Sequence, residues 1–156
     1  MATGTPATVV LQKAGTAFKL HQYDYDPHAG HIGLQAAEAL GIAPARLFKT
    51  LMAKAGGEIV CVLMPSDREL SLKRLAAAAG AKDAAMLAPA EAERVSGYHV
   101  GGISPLGQRK RLRFFVDESA AAHATILVNG GRRGLQIEIA PDALIALLQA
   151  KVIPSP

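Results

Sequence analysis

The chain mixes two hydrophobic periods. Helical spacing recurs in short blocks. Thr5-Pro6 supplies an N-cap and a first-turn proline for a helix carrying Val9 and Val10, with Gly15 as its stop. Ile32 to Leu40 repeats apolar residues at three- and four-residue steps and ends at Gly41. Ser71 caps a helix through Ala79 that Gly80 ends, Pro89 opens another to about Val95, and Pro141 opens a last one bearing Leu144, Ile145, Leu147 and Leu148. Between these lie strand-like runs: Phe18–Tyr25, Leu47–Lys54, Glu58–Met64, Ala84–Leu87, Arg113–Val116, Thr125–Val128 and Leu135–Ile139. Gly56-Gly57 joins two of them as a hairpin. Ala43-Pro44 starts a single turn, and Asp117 or Ser119 caps a short Ala-rich helix. No further element is read in the tail that ends Pro154-Ser155-Pro156. Helices and hairpins interleave irregularly, so the fold class is α+β with a mixed sheet rather than a doubly wound parallel one.

Composition narrows this picture. At 156 residues the chain (1–156) reads as one domain, and a 50% hydrophobic content is enough for a core. Aromatic residues make up 4% and Trp is absent, so aliphatic side chains must fill that core. One cysteine leaves no intramolecular disulfide. Neither a secretory signal nor an apolar run long enough for a membrane span is present, so a cytoplasmic protein is expected. The net charge of +4 tilts the expected partner toward a polyanion.

Most single candidates for chemistry have a plainer explanation. Cys61 lies within Ile59-Val60-Cys61-Val62-Leu63, where nothing would form a thiolate, and reads as core. His28 and His31 have ligand-like spacing, but no third ligand completes a metal shell; His21, His99 and His123 are isolated. Asp24 and Asp26 read as turn acids. The nucleophile-elbow and Walker patterns are absent, and Ser104 in Gly102-Ile103-Ser104-Pro105 reads as a loop hydroxyl or ligand contact. Lys49 differs. On a strand it shares a face with Leu47 and Leu51, so it either snorkels to solvent or enters a cleft as a functional cation. Two glycine-rich basic loops stand out as well. Gly101-Gly102-Ile103-Ser104-Pro105-Leu106-Gly107-Gln108 runs into Arg109-Lys110-Arg111, and Asn129-Gly130-Gly131-Arg132-Arg133-Gly134 repeats the chemistry. Free backbone N–H groups in such loops make anion cradles.

Together, Leu47-Phe48-Lys49-Thr50-Leu51, the stretch Gly97 to Gln108 and the turn Gly130 to Gly134 resemble the YbaK-type aminoacyl-tRNA deacylases, relatives of the prolyl-tRNA synthetase editing domain. The resemblance runs from about Thr5 to Leu148. It implies a central mixed, partly closed, barrel-like β-sheet flanked by helices. It also implies trans-acting deacylation of mischarged tRNA, chiefly Cys-tRNA(Pro), without cofactor or metal. For cysteine the implied route is substrate-assisted, the thiolate attacking its own ester and leaving as a cyclic thiolactone. Lys49, Gly101 and Gly102 match the catalytic positions. Tyr23, Tyr98, Ile103, Ser104, Pro105, Asn129, Gly130 and Gln136 match or adjoin the substrate pocket. Arg109, Lys110, Arg111, Arg132 and Arg133 are expected to grip tRNA phosphates. The expected partners are aminoacyl-tRNA and a prolyl-tRNA synthetase, not DNA or a membrane. Two positions depart from the pattern: cysteine-specific members carry a serine where Asn129 stands and an aspartate where Gln136 stands. The amino acid removed is therefore left open, with alanine as the alternative, and a non-catalytic tRNA-binding module is the reading from another class.

Overall fold

A computed structural model gives the architecture and describes residues 4–28 and 32–156. Helix α1 (Pro6–Ala14) begins with a reciprocal cap: Thr8 N–H donates to the Thr5 hydroxyl and Thr5 N–H to the Thr8 hydroxyl. Strand β1 (Lys19–Gln22) is shorter than the Phe18–Tyr25 run, and one further bond, from Tyr23 N–H to the Gly134 carbonyl, continues its register past the strand end. After α2 (Ile32–Leu40) and a 3-10 turn, Pro44–Arg46, comes the hairpin of β2 (Phe48–Ala55) and β3 (Glu58–Pro65). Then follow α3 (Leu72–Ala79), β4 (Ala84–Met86), α4 (Pro89–Ser96), the long loop to β5 (Arg113–Asp117), and a 3-10 turn, Glu118–Ala122, capped by Asp117. Strands β6 (Ile126–Asn129) and β7 (Leu135–Ile139), helix α5 (Pro141–Leu148) and a strand the apolar pattern did not disclose, β8 (Lys151–Ile153), complete the chain.

The strands form two sheets. One is antiparallel, in the order β1-β7-β6; the other is mixed, in the order β4-β2-β3-β5-β8, with β3-β5 and β5-β8 parallel. An isolated parallel bridge, Leu47 to Leu127, joins them. No closed barrel is found among the described residues: between the two sheets strand pairing shrinks to that bridge. The α+β class with a mixed sheet holds.

Three layers of apolar packing follow. The inner face of the antiparallel sheet (Ile126, Val128, Ile137, Ile139) packs on Leu11 of α1 and Leu144 of α5. One face of the mixed sheet (Val60, Val62, Phe115) packs on Leu75 of α3, and the other (Met52, Cys61, Phe114) on Val95 of α4. Cys61 is fully buried, and burial pushes its thiol up to about 12. It is therefore a core residue, as its apolar flanks suggest.

The outer face of the antiparallel sheet carries the polar residues. Glu138 of β7 accepts from Thr125 at 2.7 Å and Arg46 at 2.9 Å, with His21 at 2.7 Å. These contacts hold its carboxyl below the usual value, the Thr125 and His21 hydrogen bonds contributing most. The network ties β1, β7 and the segment before β6 to the turn that launches β2.

Candidate active site

Lys49 lies two residues past the bridge on β2, and Asn129 two residues past it on β6, so parallel pairing brings them to the same level. Asn129 is also paired with Gln136 on the neighbouring strand β7. The three side chains line one cavity of about 360 Å³, with Gly101 and Ile103 on its opposite wall. Lys49 is its only ionisable lining side chain among the described residues, and no carboxylate lies within ion-pair distance of it. Desolvation lowers its pKa below that of an ordinary lysine, partly opposed by the charges of Glu69 and Asp67. A half-buried ammonium without an ion-pair partner suits an anionic or strongly polarised ligand.

The wall opposite is built around Gly101. Its φ is +91°, open to glycine and strained for other residues, and a Cβ there would stand 3.0 Å from Tyr25 Oη and 3.2 Å from Arg133 Nε. Asn129 fixes this loop. Its Nδ2 donates to the Gly101 carbonyl at 3.0 Å while its Oδ1 accepts from Gly131 N–H at 2.7 Å. One amide therefore clamps both glycine loops together, and its polar atoms are committed to the protein.

Gln136 and Thr50 present the opposite situation. Gln136 is 3% exposed, and neither its Oε1 nor the Thr50 hydroxyl has a hydrogen-bond partner. Tyr23 stands behind Gln136, packed with the cluster under α2; burial raises the pKa of its hydroxyl, which also lacks a partner of acceptable geometry. The cavity thus offers a cation, and two of the residues that border it, Thr50 and Gln136, carry buried oxygens without a hydrogen-bond partner among the described residues.

The structure redistributes several sequence candidates. Gly102 does not face this cavity, and its N–H donates to the His99 carbonyl at 2.8 Å, so it holds the turn and is not free to bind an oxyanion. Among the described residues Gly101 N–H makes no such bond. Ser104 is fully buried and its hydroxyl accepts from Leu106 N–H, while Pro105 is buried beside it; neither lines the cavity. Gly130 is buried at the strand end, where a Cβ would press on Leu135. Tyr98 donates its hydroxyl to the Leu106 carbonyl at 2.6 Å, and burial pushes it up to about 12. With Arg132 and Arg133 it lines a neighbouring cavity instead. Arg109, Lys110 and Arg111 are exposed on the loop before β5 and line neither cavity.

Sequence reasoning missed Thr50, Ser66, Leu34 and Val100, all of which border the site. Strict alternation put Thr50 on the face opposite Lys49. The cavity lies where β2 leaves the mixed sheet for the bridge, and there both sides of the strand border it. His31 lies outside the described residues, and the His28 N–H donates to Asp26 in a turn. Among the described residues no three His, Cys, Asp or Glu side chains gather as a metal site.

Comparison with known proteins bears on this geometry. The family model for the aminoacyl-tRNA editing domain matches residues 27–147, which span the lysine strand, both glycine loops and every lining residue named above. The chain belongs to the aminoacyl-tRNA editing family. EbsC of Enterococcus faecalis, named as a candidate Cys-tRNA(Pro)/Cys-tRNA(Cys) deacylase, is 39% identical over 129 residues, covering 81% of this chain and 78% of its own. The proline–tRNA ligase of Nitratidesulfovibrio vulgaris strain DP4 is 28% identical over 146 residues; these cover 92% of this editing-family chain but 24% of the ligase. The crystal structure of a candidate trans-editing enzyme for prolyl-tRNA synthetase superposes with a TM-score of 0.85 at 20% identity, covering 100% of this chain and 99% of that one. That structural likeness concerns the fold.

Proposed function

We propose that the protein is a trans-acting deacylase that removes the amino acid from mischarged tRNA, with Cys-tRNA(Pro) as the first substrate to test. The observation that carries the reading is the lone Lys49 ammonium in a cavity walled by the Gly101 loop, in a chain of the editing family. The ester enters with its carbonyl between Lys49 and Gly101 N–H, which offset the negative charge that develops on the carbonyl oxygen. Thr50 and Gln136 border the substrate's amino-acid end. For cysteine, the substrate thiol loses its proton and its sulfur bonds to the carbonyl carbon. The ester C–O bond breaks, the ribose oxygen takes up a proton, and a cyclic thiolactone departs. For a residue without a thiol, water is the nucleophile. An activated ester needs positioning and charge stabilisation more than a protein nucleophile. The protein would work as a single unit in the cytoplasm, on its own or beside a prolyl-tRNA synthetase.

A second substrate, alanine, is favoured by one feature: Gln136 puts a neutral amide where cysteine-specific members carry a carboxylate. Purified protein is to be assayed for release of labelled amino acid from Cys-tRNA(Pro) and Ala-tRNA(Pro), with Lys49→Ala alongside. Release at least tenfold above background, lost in the variant, is expected. Full activity of Lys49→Ala would remove that residue from the mechanism, and an intact ester on tightly bound tRNA would leave a binding module.

A further inference from the structure

A second cavity, also of about 360 Å³, lies on the far side of the Gly101 loop. Gly101 and Asn129 border the first cavity, Gly102 and Gly131 the second, so the Gly101–Gly102 peptide is the partition between them. A Cβ on Gly102 would stand 2.9 Å from the Arg133 backbone nitrogen, so glycine is what allows the two loops to close into one thin ridge. The two cavities differ in character. The first holds a single cation; the second is lined by Tyr98, His99, Arg132 and Arg133 with no carboxylate in its lining. Arg133 spends its Nε on the Val100 carbonyl at 2.9 Å and sets its guanidinium 5.4 Å from the Tyr25 ring centroid, which fixes the side chain, and among the described residues its terminal nitrogens make no hydrogen bond. His99 is exposed at the rim, 3.6 Å from Glu93. The N-terminal end of α1, at Pro6, closes the cavity and adds its partial positive charge.

A concave, cationic seat one peptide away from an aminoacyl pocket fits a ligand that continues across the ridge. This inference rests on the deacylase reading of the first cavity. We propose that the second cavity seats the phosphodiester joining the last two nucleotides of the tRNA 3′ end, together with the nucleotide 5′ of the terminal adenosine. Arg132 and Arg133 take the phosphate, and the volume falls within the roughly 300–1,000 Å³ of small-ligand sites. The 3′ end would then straddle the ridge, held on both sides of the loop whose Gly101 N–H faces the ester.

The test uses unacylated probes and the intact protein. Adenosine, CMP and the dinucleotide CpA are titrated by calorimetry, and amide shifts of Gly102 and Gly131 are followed by NMR. CpA is expected to bind at least tenfold more tightly than adenosine or CMP, and to move both amides where adenosine does not. The Arg132→Gln, Arg133→Gln double variant should lose most of that preference and bind with a shallower salt dependence. Equal affinity for CpA and adenosine, CMP binding as tightly as CpA, unmoved amides, or an intact preference in the double variant would each overturn the proposal. The wild-type titration and shifts decide the matter even if the double variant misfolds. The acylated-tRNA assay reads separately: a CpA preference without ester cleavage would sink the deacylase reading and leave the seat standing.

Discussion

At the scale of single residues, Lys49 and Asn129 have different jobs, and their variants should fail differently. In the proposed mechanism the Lys49 ammonium acts in its protonated form, and desolvation lowers its pKa. The enzymatic rate, corrected for spontaneous hydrolysis, should therefore hold at lower pH and fall as pH rises through that lowered value. Lys49→Arg, which keeps its charge at all working pH, should move the falling limb upward even where it lowers the plateau. Asn129 borders the cavity and ties Gly101 to Gly131. Asn129→Ala should cost about 1 kcal/mol in urea unfolding, because a half-buried carbonyl and a half-buried N–H lose their partner, and should slow turnover about tenfold or more. Lys49 was legible in the sequence because a lysine among leucines on a strand is anomalous. The role of Asn129 was not, since a clamp is defined by two partners 28 and 2 residues away and leaves no local signature. The same holds for Ser104, whose place in a glycine-rich loop suggested a ligand contact while burial gave it to the loop itself.

At the scale of elements, capping and turn chemistry made most of the chain readable. Thr5-Pro6, Ser71, Gly15 and Gly80 mark helix ends where the structure has them. The failures share a cause. Strand β8 is three residues pairing in parallel with β5, so its existence depends on a partner more than thirty residues away. The short helix expected after Asp117 tightens to a 3-10 turn because the Asp117 carboxylate caps Ser119 N–H and also receives the Ser119 and Ser155 hydroxyls, anchoring the tail. The Glu138 network makes the antiparallel sheet pH-sensitive. Its carboxyl is lowered in the folded state, so its contribution is present above the unfolded-state value and is lost as pH falls through the folded-state one. Glu138→Gln should cost about 1–3 kcal/mol near neutral pH. The gap to wild type should close in acid, where both side chains are neutral; urea midpoints across pH 2–7 would show it, and a constant gap would assign the loss to packing.

At the scale of the whole molecule, the +4 charge is not spread evenly over the site. One lysine serves the first cavity, two arginines the second, and Arg109, Lys110 and Arg111 stand apart on the exposed loop before β5. Replacing Arg109 and Lys110 by glutamine should weaken binding of full-length tRNA and flatten the slope of log K against log salt by about 0.7–0.9 for each phosphate that is no longer neutralised. An unchanged slope would place these cations off the tRNA path. The sequence set Lys49 apart from the basic loops but grouped Arg132 and Arg133 with Arg109, Lys110 and Arg111; the second cavity was not visible, because it exists only where two loops about 30 residues apart meet back to back. The Asn129 clamp has a further consequence, for inheritance. A lineage cannot exchange this amide for a shorter side chain to change substrate preference without also releasing the Gly101 carbonyl and the Gly131 N–H. Position 129 is thus bound to a second change that restores the loop. Substrate range in this chain should drift through Gln136, which does not join the two glycine loops, before it drifts through Asn129.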